Sequence, residues 1–445
     1  MTPQTFTALA LADTFLAREA SVEAMQQGAR WALGKRWRWI PSLCRAIYKQ
    51  LGDRLHRHGR TELAALILAH EGFADAWLES EPPQIRHFCL DPPLAAGKPA
   101  WVSALPLPAL ANAADLAQWL KAAPSELDWF ADKWRDSPSP AAALQHYHHR
   151  WIEKRSGGLR LLEIPKPRLR TIQSQILRGL LDLVPLHPAA HGFRRGHSCV
   201  THAARHAGKR VVIRMDLKNF FTSIPAARIH ALFVGLGYPS RVAAILSRLC
   251  THRTPGSVLH RREPASAGAI SWQERQVFRQ RHLPQGSPCS PALANLCAYR
   301  LDLRLQALAA SLNANYSRYA DDLAFSGDAE LERALDRFHV QVAAIALEEG
   351  FSVNTRKTRM MRGGVRQQLT GIVVNRHPNI PRQEFDKLKA ELTNCVRHGP
   401  ASQNRGGRDN HRQFLAGRIA YVQMVNPRRG KRLRQLFDQI PWPDC

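Results

Sequence analysis

Tyr316-Ser-Arg-Tyr319-Ala-Asp321-Asp322-Leu-Ala-Phe325 sets two adjacent carboxylates between short β-prone and apolar runs, the pattern of a hairpin with both acids at its tip. Neighbouring carboxylates repel, and a cation beside them removes the repulsion. Upstream, Val211-Val-Ile-Arg-Met-Asp216-Leu-Lys-Asn-Phe-Phe221 reads as a buried strand that ends at an acid and passes into a turn. One carboxylate on a strand end plus a pair on a hairpin is the donor set that phosphoryl transfer to a sugar hydroxyl requires. One metal lowers the hydroxyl's pKa, a second holds the leaving pyrophosphate, and shared carboxylates clamp both. Taken singly, each run has a plainer explanation, an exposed acidic turn or an Asp capping the next helix. Between them lies Leu283-Pro-Gln285-Gly286-Ser-Pro-Cys-Ser-Pro291, a turn followed by a helix start, where Gly286 lets backbone approach a bound molecule closely. The ordered trio argues for one site.

Outward from this centre, short strand-like runs alternate with helical ones from Trp151 onward, which indicates a mixed α and β architecture. From Thr5 to about Ser80 apolar residues recur at helical spacing, as in Thr61 to His70, so residues 1–80 are expected to form a helical N-terminal domain. Within it, Lys35-Arg-Trp-Arg-Trp-Ile40 suits either stacking on nucleic acid or a helix core. Prolines crowd residues 81–109, the expected linker, and helix resumes from Leu110 to Trp134. Residues 110–400 follow as the main body. The polar, glycine-rich stretch Ala401 to Asn410 reads as a hinge to a basic amphipathic helix pair from about Gln413 to Ile440, giving a last segment of 401–445.

Lys and Arg outnumber Asp and Glu 63 to 36, a formal charge of +27, which points to a polyanionic partner, nucleic acid first, with a merely solvated surface as the alternative. The cations cluster: Arg194 to Arg214 contains six with no acid, and Arg428 to Arg434 five in seven positions. The eight cysteines show no Cys-x-x-Cys spacing and read as reduced thiols. Met1 to Ala20 is interrupted by Asp13, Arg18 and Glu19 and so lacks the core of a signal peptide, and no stretch is long and apolar enough to span a membrane. The expected location is the cytoplasm.

With these motifs in hand, the sequence resembles the reverse transcriptase family, specifically its bacterial retron-type branch, from about Leu110 to the end, roughly three quarters of the chain. The resemblance implies an α+β right-hand polymerase (fingers, palm, thumb) with the helical N-terminal domain as an addition. Asp216 falls on the family's first palm motif, Leu283 to Pro291 on its nucleotide-pocket motif, and Tyr319-Ala-Asp-Asp322 on its metal-binding hairpin. It implies metal ligation by Asp216, Asp321, Asp322 and Leu217, two Mg²⁺ ions with Mn²⁺ as the alternative, and Lys357 near the leaving pyrophosphate. Lys154 and Arg160 match the finger strands that hold the incoming triphosphate. Gln285 and Gly286 belong to the nucleotide pocket, and Phe221 matches the aromatic that closes the sugar pocket against a 2′-hydroxyl. Phe220 is expected on the opposite side, in the core.

The family's Asn-Ala-x-x-His element corresponds to His202-Ala-Ala-Arg-His206 and its Val-Thr-Gly element to Leu369-Thr-Gly371, each departing by one residue. Leu415 to Val422 resembles the thumb helix that grips structured RNA, and RNA binding is expected at His206, Arg428, Arg429, Lys431 and Arg432. The implied activity is copying of an associated noncoding RNA, from a 2′-hydroxyl within it, into RNA-linked single-stranded DNA (msDNA) from deoxynucleoside triphosphates. An antiphage role with a neighbouring effector or toxin protein is implied as well. The rivals are a defence-associated reverse transcriptase outside the retrons and a group II intron protein, which usually continues past the thumb. A catalytically silent RNA-binding scaffold is opposed by three retained carboxylates, and a viral-type RNA-copying polymerase by Phe221.

Overall fold

The computed structural model describes residues 2–90, 100–132, 141–153, 158–260 and 271–442, so Lys154 lies outside the described residues. The chain divides discontinuously into two compact units, residues 1–185 with 224–297 and residues 186–223 with 298–445.

The first unit opens with five helices, α1 (Pro3–Leu16), α2 (Val22–Leu33), α3 (Ile40–Leu51), α4 (Arg60–Leu68) and α5 (Glu71–Asp75). Their ends are written in the sequence. The Ser21 hydroxyl accepts from the Ala24 N–H at the start of α2, and Gly34 closes it in the left-handed region at φ +73°. Leu11, Phe15, Met25, Leu43, Ile67 and Phe73 meet in one apolar cluster. Trp39 joins that core, its ring 5.3 Å from Phe73 in an edge-on contact, so the basic and aromatic run at 35–40 contributes packing at this position.

The same unit holds a two-stranded antiparallel hairpin, β1 (Tyr147–Glu153) and β2 (Leu159–Pro165), in the register Tyr147 to Pro165 and His149 to Glu163. Behind it, in the helix Pro167–Gly179, the buried Gln173 side chain donates to the Tyr147 hydroxyl and the Leu249 carbonyl, both at 2.8 Å, and accepts from the Ser287 hydroxyl at 2.8 Å. A buried amide with every such partner filled fixes a single arrangement of the elements it joins.

The second unit is built on a four-stranded sheet ordered β4 (Asn315–Tyr319), β5 (Asp322–Gly327), β3 (Val211–Asp216), β6 (Arg359–Arg362), with every neighbour antiparallel. Helices Arg382–His398, His411–Val425 and Pro427–Asp438 share a core with Val212 and Ala324 of this sheet, through Leu388, Leu392, Leu415, Ile419 and Leu433. The basic helix pair therefore packs with a third helix, Arg382–His398, that precedes residues 401–410. Gly430 allows the last two helices to touch, since any side chain there would run into the backbone of Gln423. Leu369-Thr-Gly371 forms the turn of a small hairpin, Gln368–Leu369 with Ile372–Val373, and Thr370 and Gly371 both have positive φ, as a two-residue type I′ turn requires.

The seven described cysteines are free thiols. Cys44 is buried in the α1–α5 core, where burial pushes its thiol up to about 12, and Cys395 is buried among the C-terminal helices. Among the described residues no helix is long and apolar enough to cross a membrane.

Candidate active site

Three consecutive apolar residues, Val211, Val212 and Ile213, bury β3 on both faces and make it a rigid mount for the acid at its end. Asp216 pairs directly with Asp322 of β5, and Tyr319 pairs with Asp322 on the other side, closing the β4–β5 hairpin around Ala320 and Asp321. One residue further, the Leu217 N–H donates to the Asp321 carbonyl at 2.9 Å. The expected hairpin is thus present, with Asp321 at its tip and Asp322 opening the return strand. Ala320 sits at φ +56°, a left-handed conformation that costs a residue bearing a Cβ about 1 kcal/mol. Gly192 passes beneath it, and a Cβ on Gly192 would lie 2.5 Å from the Ala320 nitrogen.

Two of the three carboxylates, Asp322 and Asp216, have basic partners. Arg214, two residues before Asp216 and so on the same face of β3, grips both oxygens of Asp322 at 2.8 and 2.9 Å. The Lys357 ammonium lies 3.1 and 3.2 Å from the two oxygens of Asp216, and Asn354 donates to the same residue through its side chain at 3.4 Å and its backbone N–H at 2.7 Å. Burial, then the charges of Asp322 and Asp216, raise the Asp321 pKa above the usual carboxylate range, with Lys357 acting the other way. Burial also raises Asp322, outweighing Arg214.

A hard divalent cation suits this donor set: three carboxylates gathered at one strand end, oxygen donors only, and two of them held in an environment that disfavours their charge. Asp216 and Asp322 are drawn toward Lys357 and Arg214 rather than converging on one point. Among the described residues, only His149, Glu163 and His252 have ligand atoms that all lie within 4.8 Å of one another.

Phe220 is buried against Phe351 at a ring distance of 5.6 Å, while Phe221 is only partly buried and 6.1 Å from Phe193. Phe220 is in the core, as expected; both residues lie in the turn after β3, their rings 5.5 Å apart in an edge-on contact. In the first unit, the Gln285 carbonyl accepts the Glu163 N–H at 2.8 Å. Gly286, at φ +133°, brings the loop so close to β2 that a Cβ would lie 2.8 Å from the Glu163 carbonyl oxygen. Arg160 stands exposed on β2 opposite Ile152.

His206 requires a correction. It is wholly buried, its Nδ1 2.8 Å from the Ser326 hydroxyl and its Nε2 2.7 Å from that of Ser317, which also meets His202 at 2.8 Å. This imidazole braces β4 and β5 and has no surface to offer RNA. Arg428, Lys431 and Arg432 are exposed on their helix, whereas Arg429 lies over the Phe385 ring at 4.7 Å. Between the helices Arg382–His398 and His411–Val425, Glu384, Gln413, Phe414, Gly417, Arg418 and Tyr421 border a groove of about 450 Å³.

Sequence reasoning missed Arg214, Asn354 and the ion pair beneath the hairpin, Arg318 with Asp302. Arg318 donates to both Asp302 oxygens at 2.8 and 2.6 Å and to the Ala320 carbonyl at 3.1 Å. The two-residue period of β3 is the signal that marks Arg214. The Arg318–Asp302 contact joins a strand to a helix and has no comparable local signature.

Residues 152–391 match the family described as reverse transcriptase (RNA-dependent DNA polymerase). The chain is 41% identical over 294 residues to the Retron Mx65 reverse transcriptase of Myxococcus xanthus, covering 66% of this chain and 65% of that protein. It is 33% identical over 337 residues to the Retron Mx162 reverse transcriptase of the same organism, covering 72% of this chain and 65% of the relative. The Retron Ec86 reverse transcriptase of Escherichia coli is 26% identical over 285 residues, 63% of this chain and 77% of that protein. The match thus spans a little under two thirds of the two Myxococcus relatives.

Proposed function

The chain belongs to the reverse transcriptase family, in its bacterial retron-type branch, and from that premise we propose that it copies an associated structured RNA into DNA that stays joined to the RNA. The observation that carries the reading is the strand register that sets Asp216 opposite Asp322 with Asp321 beside it.

Asp216, Asp321 and Asp322, with the Leu217 backbone, would hold two divalent ions, Mg²⁺ by their oxygen donors. When bound, such ions lower the pKa of the attacking hydroxyl and neutralise the leaving pyrophosphate. The protein's own residues set the stage for that step. Lys357, already at Asp216, balances negative charge on the phosphates, and Arg214 fixes the Asp322 carboxylate in one orientation. Phe221 presents its ring edge to the sugar position and disfavours a 2′-hydroxyl. Gln285 and Gly286 offer a backbone surface to the nucleotide, and Arg160, with Lys154, contacts its triphosphate. Arg428, Lys431 and Arg432 bind RNA phosphates, with Arg429 stacked beside them.

We read residues 1–80 as a helical N-terminal domain, residues 81–109 as a proline-rich linker, 110–400 as fingers and palm, and 401–445 as the hinge and basic helical thumb. The cytoplasm is the proposed location, and an effector protein encoded nearby the proposed partner in antiphage defence.

The test is to express the chain with its flanking intergenic DNA, purify it, and treat the bound nucleic acid with a 2′,5′-debranching enzyme. DNA released from RNA only by debranching is the expected result. Unbranched DNA would leave a reverse transcriptase of another defence class, and RNA without DNA would favour a scaffold.

A further inference from the structure

Glu163 is fully buried in β2, directly across the hairpin from His149 in β1. A third residue, His252, exchanges both backbone hydrogen bonds with His282 at 2.9 Å, which aims their rings at the same carboxylate. The Nε2 atoms of His149 and His252 face each other at 3.0 Å, and His252 Nε2 lies 3.9 Å from Glu163 Oε1. Two imidazoles that point the same kind of nitrogen at each other beside a buried carboxylate are arranged as ligands around a common centre. Nitrogens bound tetrahedrally to one zinc ion stand about 3.3 Å apart, so only a small displacement separates this geometry from ligation.

We propose that His149 Nε2, His252 Nε2 and a Glu163 carboxylate oxygen form a binding site for one divalent transition-metal ion, zinc by its nitrogen-rich donor set, distinct from the site at Asp216, Asp321 and Asp322. Surrounding groups hold the ligands in position. Glu163 Oε2 accepts from His282 Nε2 at 2.9 Å, and Oε1 from the Thr254 hydroxyl at 2.7 Å. The Tyr147 ring lies 4.1 Å from that of His252, and its hydroxyl is fixed by Gln173. Orienting partners of this kind accompany metal ligands. Burial lowers the pKa of His149 and takes His252 down to about 3, so both offer lone pairs at neutral pH. His149, only partly buried, leaves the fourth position to water.

The ion would tie the β1–β2 hairpin, which bears Arg160, to the bridge between His252 and His282. The Glu163 N–H also donates to the Gln285 carbonyl, so the same tie reaches the loop at Gly286. No spacing rule exposes this set, because the register of a hairpin and a distant bridge bring the ligands together.

The full-length protein is stripped with a chelator, desalted and titrated with Zn²⁺ alone, with metal counted by mass spectrometry, and separately with Co²⁺ as a spectroscopic probe. The expected result is one tightly held zinc per chain and an intense tetrahedral cobalt spectrum. Both should be kept in Asp321→Asn and lost in His149→Asn. His282→Gln, which strips a partner from the carboxylate, should weaken zinc about 10- to 100-fold. A wild-type protein without the tetrahedral spectrum would overturn the site whatever the variants do, leaving a hydrogen bond between two neutral histidines. Equal zinc in wild type and folded His149→Asn would overturn it too, and unchanged affinity in His282→Gln would remove Glu163 from the ligands. These readouts do not depend on DNA synthesis, so this proposal and the polymerase reading fail separately.

Discussion

Burial and two neighbouring carboxylates raise the pKa of Asp321, so the folded chain holds that proton more tightly than the unfolded chain does. The stability linked to this group is therefore complete below the ordinary carboxylate range and declines as pH rises through the raised folded value. Asp321→Asn removes the charge, and the protein free of nucleic acid should gain roughly 0.5–2 kcal/mol at neutral pH, with the gain vanishing in acid. DNA synthesis should fall about 1000-fold or more, while RNA binding survives. Melting curves across pH, primer extension and filter binding measure the three, and loss of RNA binding in a folded variant would contradict the separation of metal site from RNA surface. Phe221→Ala should cut discrimination between deoxy- and ribonucleotides by roughly 10- to 100-fold in single-nucleotide incorporation, and unchanged selectivity would place sugar recognition elsewhere. The acids were legible because a strand end and a hairpin tip leave local patterns. His206 was not: a buried histidine bonded to two serines and one on the surface carry the same letter, and only the fold sets its ring between β4 and β5.

At the scale of elements, the β4–β5 hairpin could be read from the β-prone and apolar runs on either side of its paired acids, but not what holds it. Arg318 and Asp302 are both fully buried, and Arg318 also receives the His191 N–H on its carbonyl and donates its own N–H to Ala189. Arg318→Met strands a buried carboxylate and should destabilise by about 3–5 kcal/mol in urea titration. Adding Asp302→Leu should recover part of that loss, because the removed pair no longer leaves a lone charge. A double variant no more stable than the single would show that the hairpin depends on the Ala320 contact rather than on charge pairing. The turn at Leu369-Thr-Gly371 was visible as a motif, and its chemistry, two residues of positive φ, follows from Gly371 at its second position.

Over the whole molecule the excess of cations, +27, was apparent from composition, and the structure puts Arg428, Lys431 and Arg432 on an exposed helix face. Neutralising these three and Arg429 together should weaken RNA binding and lower the salt dependence of the logarithm of affinity by up to about 3. An unchanged slope would take this helix off the RNA surface. The division into two discontinuous units was not legible, since it is made by residues 224–297 joining the first 185 while β3 pairs with strands more than a hundred residues later. That division makes the buried thiols useful as clocks. Cys44 lies in the core of α1–α5 and Cys395 among the C-terminal helices, each with its pKa raised, so neither reacts with an alkylating reagent until its surroundings open. Alkylation followed peptide by peptide then times the opening of each core in the unmodified chain. Bound RNA should slow the Cys395 clock and leave the Cys44 clock running at its own rate, whereas equal slowing would mean that the two cores breathe as one.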